Sequence, residues 1–336
     1  MRVRTSILSI SAAAALALLA GCSGNGSIVL TTSASDRSAT REVVLNARMG
    51  LAPQFLQTIH FGPPHLRVQP DTPGPKDLAV SDDDGAVEVL DHNFALEQTI
   101  LDPTACPTGD FYDKVGRLYA ADYCGPEVTE YQPSGALLFT YTAAGMNDPL
   151  AVATDRADNV YVADYGGAQA SIVVEFPQGS NNPMASCSTG IANSGIAIDA
   201  SGAVFVSGNN PSTGLGNLLE YPNGLAGCPA PITLGVTLGF AGGLQIDKAH
   251  DLVACDQIAG VDIIPPPYTS ISSTITGAGD SFRVALNRVN GKIFIVDAEG
   301  DDVLVDLYPS GTPFAVLNHN NGLVFPAGVA TNPYQQ

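Results

Sequence analysis

The feature that most limits how this chain can fold is that it repeats itself. "LAVATDRADNVYVADYGG" (150–167) recurs, altered, as "GDFYDKVGRLYAADYCG" from Gly109, "GIAIDASGAVFVSGNN" from Gly195, "GLQIDKAHDLVACDQ" from Gly243 and "RVALNRVNGKIFIVDAEG" from Arg283. In each copy a short apolar run closes on an aspartate or asparagine. These marks fall at Asp113, Asp155, Asp199, Asp247, Asn287 and Asn332, at intervals of 42, 44, 48, 40 and 45 residues. A unit of this length cannot bury its apolar face alone and must stack on its neighbours.

Each unit divides into four short runs. The first, such as Leu150–Thr154, is apolar and small, as a crowded centre requires. The mark and the residues after it form a tight turn, in which an Asp side chain can bond the backbone. The second run ends on another aspartate: Asp82, Asp122, Asp164, Asp256 and Asp297 share that place. The third ends at Tyr131, Phe176, Tyr221 or Tyr308 with a turn behind it, and the fourth, such as Ala136–Tyr141, completes a meander. With 35 Gly, 24 Pro and only 14% charged residues, short strands joined by turns are expected.

Four-stranded units at this period predict an all-β chain, a six-bladed β-propeller of antiparallel blades. The unit from Asp77 lacks its first strand, and "PAGVATNP" (326–333) is a first strand with nothing after it. The sequence therefore predicts Val329–Thr331 as the innermost strand of the blade containing Asp77–Ile100. The C-terminal strand joins the N-terminal blade, closing the ring over 77–333 and removing open sheet edges.

The paired motifs, an apolar run closed by Asp and then Tyr-Val-Ala-Asp, resemble the NHL-repeat family of six-bladed propellers over roughly 76–333. Streptogramin lyases and gluconolactonase-like proteins are related to that family in fold. The resemblance implies the fold more than a function, because propellers host binders and enzymes alike.

Residues 1–22 read as an address. A basic start (Met1–Arg4) precedes the apolar stretch Ile7–Ala20 and Leu19-Ala20-Gly21-Cys22, the pattern of a secretory signal. The last four residues resemble the bacterial lipobox. That resemblance implies lipid attachment at Cys22, a lipoprotein of the cell envelope on its extracytoplasmic side, and, with Ser23 following, the outer membrane where one exists. Residues 23–76 read as a Ser/Thr-rich tether and Pro-rich linker, in which 42–59 fits a short helix or an extra strand equally. With a formal charge of −19 the chain lacks the basic footprint of a nucleic-acid binder. Membrane contact is expected through the lipid alone, and a monomer is expected.

The step from the third-run mark to the next turn Asp or Asn is nearly constant, at 23, 24, 23, 26, 23 and 24 residues, whereas second-to-third connections vary. Length variation is therefore expected on one face, the natural place for binding a protein, peptide or glycan. Tyr165, Asn209, Asn210 and Asp301 are the candidate contact residues there, on stretches 165–171, 207–217, 82–85 and 298–302.

Catalytic residues are not assignable. Aspartates that recur in nearly every unit suit turns and strand ends better than one active site. The denser runs Asp82–Gly85 and Asp297–Asp302 offer hard oxygen ligands suited to calcium but lack EF-hand spacing, and no other cofactor is implied. Of five histidines (His60, His65, His92, His250, His319) only His319 is expected near the variable face, and no G-x-S-x-G motif occurs. A disulfide between Cys106 and Cys124 is geometrically reasonable; Cys187, Cys228 and Cys255 cannot be paired from sequence. The favoured reading is a non-enzymatic binding or scaffold module. The alternative is a streptogramin lyase-like or gluconolactonase-like enzyme, with a histidine base or a metal ring at the channel mouth.

Overall fold

The computed structural model describes residues 78–82, 85–102, 106–166 and 171–332. Blade one holds β1 (Leu78–Asp82), β2 (Ala86–Leu90) and β3 (Leu96–Leu101). Blade two holds β4 (Pro107–Tyr112), β5 (Leu118–Asp122), β6 (Glu127–Tyr131) and β7 (Leu137–Thr142); blade three holds β8 (Pro149–Thr154), β9 (Val160–Asp164), β10 (Ile172–Phe176) and β11 (Ala185–Ser188). Blade four is β12 (Ala192–Ile198), β13 (Val204–Asn209), β14 (Gly216–Tyr221) and β15 (Ile232–Leu238). Blade five is β16 (Ala241–Ile246), β17 (Leu252–Asp256), β18 (Gly260–Ile264) and β19 (Ser273–Ile275). Blade six is β20 (Ser281–Leu286), β21 (Lys292–Asp297), β22 (Asp302–Leu307) and β23 (Thr312–Leu317), and β24 (Ala330–Thr331) returns to blade one. The result is six four-stranded antiparallel sheets, each a meander from inside to outside.

Strand position within a blade decides its composition. Second strands such as LYAAD (β5) and VYVAD (β9) are buried throughout, because both faces press on neighbouring blades. The outermost strand of blade four, ITLGVTL, alternates exposed and buried residues over its second half, the period-2 pattern of a strand covered on one side. The core is accordingly six apolar seams, one at each blade junction. Between blades two and three, for example, Tyr141 lies 6.3 Å from Tyr119 and 5.5 Å from Phe176 between ring centroids.

The turn marks act as expected. Asp113 Oδ1 accepts the amides of Val115 and Arg117, and Asp155, Asp199 and Asp247 each accept the amides two and four residues on. Asn287 accepts those of Gly291 and Lys292. All five first-to-second turns are five residues long.

The ring closes through its ends. Leu78 pairs with Thr331 and Ala79 with Ala330. Ahead of β24, Ala327 N donates to Ser81 O at 2.8 Å and Ser81 N to Gly328 O at 3.1 Å. Thr331 Oγ1 donates to Leu286 O of blade six at 2.6 Å. Because β1 is a second strand and β24 a first strand, the chain enters and leaves the ring on the same face, the one that carries the first-to-second and third-to-fourth turns. We call this the turn face. The opposite, link face carries the second-to-third connections and the links between blades.

Loop length does not vary on one face only, contrary to the sequence expectation. Third-to-fourth turns run from four residues (308–311) to ten (222–231), a wider range than the second-to-third connections, which run from three (257–259) to seven (165–171). The 23–26-residue step is a sum over turn, fourth strand, link and first strand, in which a long turn is offset elsewhere: in blade five by the three-residue β19. Blades three and four have long turns (177–184, 222–231) followed by links of only three and two residues (189–191, 239–240). The stretch 207–217 is also less loop than expected, since Ser207–Asn209 and Gly216–Asn217 continue the β13–β14 ladder.

Candidate functional site

On the link face, the aspartate that ends each second strand pins the link arriving at its own blade. Asp82 accepts Val324 N and Phe325 N at 2.6 Å each, and Asp164 accepts Asn147 N and Asp148 N at 2.9 and 2.8 Å. Asp256 takes Gly239 N and Phe240 N, and Asp297 takes Gly279 N and Asp280 N. Burial is strong enough to raise the Asp164 carboxyl to about 6 against these amides.

Two blades depart from this scheme. Blade four has Asn209 in place of the aspartate, and Asn209 reaches forward to blade five. Its Oδ1 accepts Ala241 N at 2.9 Å and its Nδ2 donates to Ala241 O at 3.3 Å. In blade two, Asp122 Oδ1 accepts Cys124 N at 2.8 Å, but Oδ2 has no hydrogen-bond partner among the described residues. There the link is held covalently: Cys106, just before β4, is bonded to Cys124 on the second-to-third connection, with Cα atoms 5.5 Å apart. A second disulfide, Cys187–Cys228, joins β11 of blade three to the third-to-fourth turn of blade four, and Cys255 is a buried free thiol.

The central channel is built from the residue four places before each turn mark. In chain order these are Gly109, Ala151, Gly195, Gly243, Arg283 and Gly328. Five are small because the inner strands crowd together: a Cβ on Gly109 would stand 2.2 Å from Leu150 O. The sixth crosses the axis. Arg283 Nε donates to Thr108 O of blade two at 3.1 Å and Nη2 to Leu150 O of blade three at 3.0 Å, while Nη1 donates to Phe282 O at 3.1 Å. The guanidinium stacks 3.9 Å from the Phe282 ring centroid. At 5% exposure the side chain is buried as it spans the ring at this level. Burial lowers its pKa to about 10, leaving it charged. Nearby, Asp110 accepts Ser81 N and Oγ at 2.7 and 2.5 Å, and burial raises its carboxyl to about 7 against those bonds and the Arg283 charge.

The structure scatters the four candidate contact residues among different roles. Tyr165 is 3% exposed, packed with Cys106, Tyr123, Leu150 and Ala192; an aromatic among apolar neighbours from three blades is framework, not a surface anchor. Asn209, 4% exposed, is the pin described above. Asn210 Oδ1 folds its own loop by accepting Ser212 N and Thr213 N. Asp301 stays half-buried on the blade-six connection with a left-handed φ of 52°. Leu215, within the expected stretch 207–217 but not singled out there, and Ile258, outside every expected stretch, are 46% and 63% exposed on link-face connections. Cys22, His60, His65, Asp83, Asp84 and 167–170 lie outside the described residues.

His92 and His250 stand on turn-face turns, and His319 in a one-turn 3-10 helix (His319–Asn321) on the link into β24. Among the described residues no histidine lines the channel. Asp297 on the acidic connection spends its oxygens on backbone amides. On the turn face, a shallow recess of about 410 Å³ between blades five and six is lined by Asp247, Lys248, Asp251, Asn290 and Tyr308. Its Tyr308 hydroxyl is committed to Asp247 Oδ2 at 2.8 Å.

These features define a six-bladed β-propeller. No protein-family model matches the sequence, and no curated protein does. Among solved structures, the fold is similar to a chain of the nidogen/laminin complex, with a TM-score of 0.63 at 16% identity over 78% of this chain and 100% of that one. It is also similar to a protein of unknown function from Bacteroides caccae, with a TM-score of 0.59 at 14% identity over 77% of this chain and 99% of that one. A streptogramin B lyase structure aligns with a TM-score of 0.48 at 9% identity over 63% of this chain and 68% of that one.

Proposed function

We propose that this chain is a non-catalytic binding or scaffold module of the NHL-repeat type, held on the extracytoplasmic side of the cell envelope by a lipid on Cys22. Its link face receives a protein, peptide or glycan. The observation that carries this reading is Arg283, which spends its donors on the carbonyls of blades two and three and on Phe282 O, beside an Asp110 that is itself spent on Ser81. The ring is then a rigid support, and recognition falls to its connections. That a similar fold occurs in the nidogen/laminin complex is in keeping with a role in protein association.

Recognition is assigned to the link face because its connections carry exposed apolar side chains, Leu215 and Ile258. The loop 210–215 is exposed from Pro211 to Leu215. Replacing 211–214 by a two-residue turn should spare the fold, since loop closure changes by about 1 kcal/mol or less. In pull-downs from envelope extracts, this variant should lose the partners that the parent chain retains. Trimming 178–183 on the turn face serves as the control and should leave capture unchanged. If trimming 178–183 abolishes capture and the 211–214 change does not, the partner binds the turn face and the reading fails.

A further inference from the structure

The carboxylate beside the blade-two disulfide has no structural task that accounts for both its oxygens. In blades one, three, five and six the equivalent aspartate accepts link amides, although Asp164 of blade three takes both on Oδ1 and its Oδ2 has no partner among the described residues. In blade four the asparagine is spent on Ala241. In blade two the disulfide holds the link, and Asp122 is left facing the sulfurs. Cys106 Sγ, Cys124 Sγ and a carboxylate oxygen of Asp122 all lie within 4.8 Å of one another. Asp122 is fully buried and its Oδ2 has no partner among the described residues. The two cysteines are unlike: Cys106 is buried and Cys124 exposed. We propose that Cys106–Cys124 is a redox-active disulfide that oxidises external dithiols, with Cys124 as the attacked sulfur and Asp122 as the proton donor to Cys106.

A thiolate of the dithiol attacks exposed Cys124 Sγ, forming a mixed disulfide and breaking the Cys106–Cys124 bond. The electron pair leaves on Cys106 Sγ. A buried thiolate is costly, and the Asp122 carboxyl quenches it by giving up its proton, so Cys106 leaves as a thiol and Asp122 as a carboxylate. The second thiol of the same molecule, as its thiolate, then attacks its own sulfur in the mixed disulfide and expels Cys124 as thiolate. The dithiol is oxidised to a disulfide and the protein is reduced by two electrons.

Asp122 can hold the required proton near neutrality. Burial raises its carboxyl to about 7, helped by the charges of Asp102 on the link from blade one and Glu127 on β6, and opposed by the amides of Cys124 and Gly125. Both of these carboxylates favour the protonated form.

The test uses the full chain and dithiothreitol, reading each disulfide separately by alkylation and peptide mass. Rates are divided by the dithiothreitol thiolate concentration at each pH. Cys106–Cys124 should react at least tenfold faster than Cys187–Cys228 at pH 6. Its corrected rate should fall about tenfold between pH 6 and pH 8, as the acid form of a group titrating near 7 is lost. Cys187–Cys228 should show no such fall, and Asp122→Asn should abolish it at Cys106–Cys124. The comparison within the parent chain stands even if Asp122→Asn fails to fold. Equal rates for the two disulfides, a flat profile at Cys106–Cys124, or a fall that persists in Asp122→Asn would each overturn the proposal.

Discussion

Blades two and four depart in different ways from the other four, which hold the arriving link with a buried carboxylate. Blade two bonds its own arriving link covalently, and blade four reaches forward to the inner strand of blade five. Blade four uses an amide, Asn209, which offers both an acceptor and a donor and so satisfies both the N–H and the C=O of Ala241. Blade two uses a covalent bond between Cys106 and Cys124 and leaves Asp122 Oδ2 without a described partner. The amide pin carries no charge into the protein. The carboxylate pins do, and the raised pKa of Asp164 records the cost of burial. A repeat therefore keeps a polar residue at the end of the second strand more strictly than the contact that residue makes.

Both pins depend on a closed ring, so the largest effect comes from opening it. Deleting residues from Pro326 onward removes β24 and the contacts of Ala327 and Gly328 with Ser81, and exposes sheet edges in blade one. The cooperative thermal transition should be lost. A truncated chain that melts as sharply as the parent would mean that the closure contributes little.

Next is the covalent pin. Replacing Cys106 and Cys124 by alanine together should destabilise the protein by about 3 kcal/mol, the scale expected for a bridge closing a loop of this size. Urea unfolding would measure it. A cost near zero would show that the backbone contact of Tyr123 N with Cys106 O, 3.1 Å long, already holds the link.

The smallest effects come from exchanging the pins. Asn209→Asp replaces a donor by a carboxylate oxygen facing Ala241 O, and should cost about 1–3 kcal/mol. Asp164→Asn makes the reverse change. Because the Asp164 pKa is raised to about 6 in the folded state, its contribution to stability is fully present below the unfolded value near 4 and is lost as pH rises through about 6. The penalty of Asp164→Asn should therefore be larger at pH 4 than at pH 7.5, as read from melting temperatures at the two pH values. The opposite order would mean that the carboxylate is stabilised by its amides more than burial disfavours it.

The sequence carried the architecture because the turn marks are chemical as well as periodic. An aspartate that clamps two amides cannot drift without loss, so the marks stay visible when the apolar runs around them blur. The closing strand was legible for the same reason, and the structure shortens it only from Val329–Thr331 to Ala330–Thr331. Asn209 escaped notice as a pin because the residue type changed while the place did not. The trade between turn and link lengths was hidden because the sequence exposes only their sum. Arg283 left a readable signal: one large cation in a column otherwise made of Gly and Ala. Its acceptors on Thr108 and Leu150 lie 175 and 133 residues away in the chain, and only the closed ring brings them together.

The five-residue turns have a consequence for how such a chain can be rearranged. A cassette cut from one turn mark to the next, such as Asp155 to Asp199, carries a long hairpin loop together with the short link that offsets it. A cassette cut at the blade boundary separates the two and leaves a mismatch on each side. Recombination between copies of this gene segment would thus give viable rings when the crossovers fall in the turns. The natural unit of exchange is offset from the blade by one strand, the same offset by which the C-terminal strand completes blade one.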